Sequence, residues 1–175
     1  MSRERWSQDV LTLRGEVDFI TPDSKQVLLF SYEAPDLTRG WKIEGAYVWL
    51  KGANNPAGSR ARFNLAMQLQ TDTISPVNND LTAEDNRAFG WFRTGYIGSD
   101  AAGNVLSQFV EEEHILDPQH IITRDMYGTF TFDGDSVLED NDCTLCYLVI
   151  MKPVKLLPIE NILQTVKGVA QDILN

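Results

Sequence analysis

RFNLAMQLQ, residues 62–70, is the stretch that decides how the rest of the chain is read. Phe63, Leu65, Met67 and Leu69 alternate with Arg62, Asn64, Ala66, Gln68 and Gln70. A period of two places the four large apolar side chains on one face of an extended strand. A helix would need apolar residues at i, i+3 and i+4, and this stretch lacks them. It therefore reads as a half-buried strand, apolar inward and polar outward.

The same period recurs on both sides. Residues 10–20 alternate around Leu11, Leu13, Val17 and Phe19, with Gly15 as a predicted bend. Residues 26–33 place Leu28, Phe30 and Tyr32 opposite Val27 and Leu29. Residues 41–51 place Trp41, Ile43, Tyr47 and Trp49 on one face, with Gly45 among them. An aromatic strand over 87–97 follows, with Phe89 and Trp91 on one face and Phe92 and Tyr96 on the other. Residues 105–110 pair back after a hairpin tip at 98–103. Residues 120–132 predict a long strand broken at Gly128. CTLCYLVIMKPV, residues 143–154, is apolar on both faces, the pattern of a central strand covered on both sides. Turn chemistry separates these runs: Pro22, GANNPAGSR at 52–60, a polar connection over 71–86 with a short helix near 81–86, and Asp117–Pro118.

The end of the chain changes period. After Pro158, apolar residues fall at Ile159, Ile162, Leu163, Val166, Val169, Ala170, Ile173 and Leu174. That spacing is helical, and proline suits a first helical turn. Eight or nine short strands with no intervening helices exclude a parallel α/β sheet. The reading is all-β: an antiparallel jelly-roll β-sandwich over residues 1–157, with a C-terminal amphipathic helix over 158–175.

A chain of 175 residues, 43% hydrophobic and 10% aromatic, is long enough for one domain with a sizeable core. No apolar run is long enough to span a bilayer, and the first residues lack a signal peptide's apolar segment, which points to a soluble protein made in a cytoplasm. A net charge of −10 argues against a general grip on nucleic acid, so such contact would need a local patch.

The stretch VEEEHILDPQHIITRDMYGTFTF, residues 110–132, holds both histidines and is the first place to look for chemistry. Glu111, Glu112, Glu113, His114, Asp117 and His120 are metal-ligand types. Asp117–Pro118 breaks any strand that would align the two imidazoles, and their spacing is not that of one helical face. The histidines are better placed for pH-sensitive subunit contacts. Asp133, Asp135, Glu139, Asp140 and Asp142 are calcium candidates by composition, without the spacing of a calcium-binding loop. Cys143 and Cys146, three residues apart on a strand, would stand about 10 Å apart and cannot form a disulfide; they read as buried thiols. No nucleophile motif or phosphate-binding loop is present, so the reading is not enzymatic and requires no cofactor. Trp41, Tyr47, Trp49, Trp91 and Phe92 fit a sandwich core better than a sugar-stacking platform, because they lie in strands.

IEGAYVWLKG (43–52), EEHILDPQHIITRDMYGTF (112–130) and CYLVIMKPV (146–154) resemble single-jelly-roll capsid proteins of small circular single-stranded DNA viruses. That resemblance implies a coat protein, made in a host cytoplasm, whose copies tile an icosahedral shell in a virion. It implies other capsid subunits as partners and carries over no catalytic residues. Such proteins usually begin with a basic arm for the genome, and this acidic chain shows none. Subunit contacts are expected from the helix, through Ile159, Ile162, Leu163, Val166, Val169 and Ile173, and not from a membrane. The alternative is a β-sandwich module binding carbohydrate or another ligand on a phage or cell-surface protein.

Overall fold

The computed structural model describes residues 10–19, 23–32, 38–53, 62–73, 87–97, 107–108, 113–134 and 143–169. The strands are β1 (Leu11–Phe19), β2 (Asp23–Phe30), β3 (Arg39–Ala53), β4 (Arg62–Gln70), β5 (Ala88–Ile97), β6 (Ser107–Gln108), β7 (Glu113–Leu116), β8 (Met126–Gly134) and β9 (Cys143–Lys155). One helix follows, α1 (Pro158–Val169).

The strands form two antiparallel sheets. The first has the order β1-β9-β3; the second has the order β2-β8-β4-β5-β6, with β7 also on β5. The pairing is nested. β1 pairs with β9, β2 with β8, β3 with a short bridge at Ile122, and β4 with β5. First with last, second with second-to-last and so on inward is a long antiparallel ribbon rolled into a sandwich, which is the jelly roll. The bridge is held by reciprocal main-chain hydrogen bonds of 2.8 Å between Trp41 and Ile122.

The core lies between the sheets. Val17, Phe19, Leu145, Val149 and Met151 from the first sheet meet Leu65, Met67, Leu69, Phe92, Phe130 and Phe132 from the second. Rings cross the gap: Phe19 and Phe132 stand 6.0 Å apart, Phe130 and Tyr147 5.1 Å.

RFNLAMQLQ forms β4 with the expected bounds, but its polar face is not solvated. Gln68 and Gln70 are buried, as are Thr129 and Thr131 on the neighbouring β8. β4 lies between β5 and β8, and Gln70 bonds sideways to β8. Thr129 Oγ1 accepts from Gln70 Nε2 at 2.9 Å and from Gln26 Nε2 at 3.3 Å. Ser24 Oγ and Thr131 Oγ1 are 3.0 Å apart.

Two expected breaks are not breaks. β1 runs through Gly15 without a shift of register. A Cβ there would lie 2.5 Å from the Tyr147 hydroxyl, so glycine makes room for a ring. β8 likewise runs through Gly128, where Leu29 and the Phe130 ring occupy the space of a side chain. The real interruption of this stretch precedes Met126, between the Ile122 bridge and β8.

Register shifts fall in β2, twice in β3, and between β4 and β5. In the last, Leu69 pairs with Gly90 but Gln70 with Ala88, so that Phe89 joins Phe92 in the core instead of sharing a face with Trp91. β2 shifts register between Leu28 and Phe30. Leu29 and Phe30 both pack on the core, while Leu28 is exposed. β3 shifts between Ile43 and Gly45, so Glu44 is the extra residue. Trp41 and Ile43 pack on the core before the bulge, and Ala46, Val48 and Leu50 do so after it. Tyr47 and Trp49 therefore point outward, opposite to the single face on which period two had placed them. The expected helix near residues 81–86 and the hairpin tip at 98–103 lie outside the described residues.

Candidate functional site

The helix at the end of the chain is attached by its polar side. Pro158 opens α1, and Glu160 Oε2 accepts the Leu157 N–H at 2.8 Å, capping the first turn. Leu156 is buried and continues the β3–β9 pairing through its N–H to Thr38 O, 2.8 Å. Asn161, also buried, donates from Nδ2 to Arg39 O at 3.4 Å. A shallow groove of about 370 Å³ lies under this joint, lined by Thr38, Arg39, Lys155, Leu156, Leu157 and Glu160.

The apolar side of α1 is left bare. Leu157, Ile159, Ile162, Leu163 and Val166 are 55–66% exposed. Covering five such side chains would be worth on the order of 5 kcal/mol. Ile159, Ile162, Leu163 and Val166 are the expected contact residues, brought together as one ridge. Val169 is the last described residue of α1, its side chain outside the described set, and Ile173 lies outside the described residues.

A second apolar surface lies on the outer face of the first sheet. Register places Tyr47 beside Leu148 and Trp49 beside Cys146. Ile150 continues the strip along β9, and Cys146, Leu148 and Ile150 are half-buried. β9 is thus apolar on both faces, as its sequence shows, but only Leu145, Val149 and Met151 are buried with the core. The expected cover on its other face is not supplied by any described strand. Cys146 is a half-buried thiol on this outer face, not a core thiol. Burial, then the nearby Glu16 carboxylate, pushes its pKa up and disfavours the thiolate. The Cys143 side chain lies outside the described set.

Charge frames this strip evenly. Arg14, Lys42, Lys51 and Lys152 stand against Glu16, Asp18 and Glu44, although the whole chain carries −10. Lys51 Nζ reaches both Glu16 oxygens, at 2.7 and 2.8 Å, and this hydrogen-bonded pairing raises the lysine pKa. Lys152 Nζ lies 3.3 Å from Glu44.

The histidines separate, as their spacing requires. His114 sits on β7, exposed, its ring 5.8 Å from Tyr47 and 5.6 Å from Phe92. His120 is buried and stacks on Phe89 at 4.2 Å. Asp117 serves the turn between them, accepting the Gln119 N–H at 2.9 Å. Among the described residues no three His, Cys, Asp or Glu side chains converge on a metal-sized site. Of the calcium candidates, Asp133 lies in β8 with its side chain outside the described set; Asp135, Glu139, Asp140 and Asp142 lie outside the described residues, as do Glu111 and Glu112. Among the described residues no helix is long and apolar enough to cross a membrane.

Of the five strand aromatics, Phe92 is buried and Trp41 packs on the core. Trp91 is half-buried, and Tyr47 and Trp49 are 46% and 42% exposed. The outward turn of the last two follows from the bulge, and Gly45 beside Glu44 was the signal for it. Asn161 could not be found from sequence as an anchor, because helical periodicity puts it on the polar side.

No protein-family model matches this chain, and no curated protein is similar to it in sequence.

Proposed function

We propose that this chain is a structural coat protein whose copies assemble into a closed icosahedral shell. One observation carries the reading: α1 is tied to the sandwich through buried Asn161, while Ile159, Ile162, Leu163 and Val166 face outward. A helix that served its own fold would turn those side chains toward the sheets. A contiguous exposed apolar ridge of this kind marks a contact with another molecule. The jelly roll is a fold used for shells, and the resemblance to capsid proteins of small circular single-stranded DNA viruses agrees with it. On this reading the partners are other subunits and the destination is a virion, after synthesis in the host cytoplasm. The work is done by interfaces, with neither catalysis nor a cofactor.

Electron microscopy and light scattering of purified protein test it. Particles or large discrete oligomers are expected. A strictly monomeric species at high concentration would overturn the proposal. Deleting residues 158–175 should leave the sandwich folded and abolish assembly.

A second reading, a ligand-binding module, draws on the exposed Tyr47 and Trp49, since outward aromatics can stack on sugars. A glycan array in which wild-type protein binds and a Tyr47→Ala/Trp49→Ala variant does not would favour it over the shell.

A further inference from the structure

We propose that the shell contact is head-to-tail: the α1 ridge of one copy seats on the Tyr47–Trp49–Leu148–Ile150 strip of the next copy's three-stranded sheet. This rests on the shell reading and specifies its interface.

The two surfaces match in kind. One is a helical ridge, the other a sheet face whose Tyr47 end borders His114 of β7, and helix on sheet is a standard layer packing. They match in length. From Ile159 to Val166 the ridge spans about 10 Å at the helical rise. From Cys146 to Ile150 the strip spans about 13 Å at the strand rise. They also match in charge. The sheet face is nearly balanced and α1 carries one glutamate and one lysine, on a chain of net charge −10. Surfaces this close to neutral add little repulsion between acidic copies.

One copy does not join its own two surfaces. Asn161 pins α1 at Arg39, at the start of β3. Tyr47 lies eight residues farther along that strand, about 26 Å away at the strand rise. A two-fold pairing of helices would cover the ridge and leave the strip open. A contact between unlike surfaces covers both and, repeated with a rotation that closes, generates rings.

Two full-length variants test this: Ile162→Glu/Val166→Glu on the helix, and Tyr47→Glu/Trp49→Glu on the sheet. All four side chains are exposed, so unchanged circular dichroism is expected. Each variant alone should need about thirtyfold more protein to assemble, as for loss of a central anchor. Mixed, they should form a one-to-one dimer by analytical ultracentrifugation and grow no further, since one intact ridge meets one intact strip. If the sheet variant assembles like the wild type, or the mixture yields no dimer, the head-to-tail contact is wrong while the shell reading stands. If wild-type protein never assembles, the shell reading itself fails. A photo-crosslinker at position 162 of otherwise wild-type protein gives an independent answer should a variant misfold. Intermolecular attachment within residues 46–50 or 146–150 supports the contact, and attachment within 157–169 overturns it.

Discussion

The outer faces of the two sheets are built in opposite ways. On the second sheet the outer face is polar, yet Gln68, Gln70, Thr129 and Thr131 are buried, with Gln70 bonded sideways to Thr129 and Thr131 to Ser24. On the first sheet the outer face is apolar through Cys146, Leu148, Ile150, Tyr47 and Trp49, yet it is half-open. The difference shows that polarity and burial are separate properties. A polar layer closes when its groups satisfy one another across strands. An apolar layer has no such lateral partners and closes only when another surface covers it.

The largest test concerns the core that both faces enclose. Phe130→Ala should cost about 3–5 kcal/mol in denaturant unfolding, because the ring is fully buried between the sheets. A loss below about 1 kcal/mol would mean that the sheets do not pack on this ring. Next comes the polar face. Thr129→Val keeps the shape but removes the acceptor shared by Gln26 and Gln70, leaving a buried amide without it. A cost of about 1–3 kcal/mol is expected by the same measurement.

The apolar face should respond least in isolated subunits. Leu148→Ser should change subunit stability by less than about 1 kcal/mol, since water already reaches the side chain. If it costs as much as Thr129→Val, the two faces are equally covered and the contrast is lost. In assembled protein the same variant should weaken association.

The smallest effect is at high pH. Burial raises the Tyr147 phenol above its usual 10.0, and Glu16 raises Lys51 above 10.5. A folded-state pKa above the unfolded one means stability that is complete below the unfolded value and lost as pH climbs through the folded one. Unfolding midpoints should therefore fall above about pH 10, with Lys51→Met and Tyr147→Phe each blunting the fall. Midpoints flat across that range would exclude both contributions.

Much of the fold was legible because strand period and helical period are local signals. β4 and β9 match their expected bounds closely, and α1 begins at the proline that announced it. The bulges at Leu29 and Glu44 were not legible, since one extra residue changes the facing of every residue after it. Gly15 and Gly128 were misread as breaks for a related reason. Glycine marks close approach as well as bending, and only the positions of the Tyr147 and Phe130 rings tell these apart.

By itself, the sequence determined the all-β class, the antiparallel roll, the helix and the identity of its apolar residues. Those follow from the spacing of side chains along one chain. Tertiary structure alone decided which apolar surfaces remain open. Whether Ile162 lies under a sheet or faces water depends on the anchor at Asn161, and whether Trp49 enters the core depends on the Glu44 bulge. Burial is a relation between segments distant in sequence, so no local pattern encodes it.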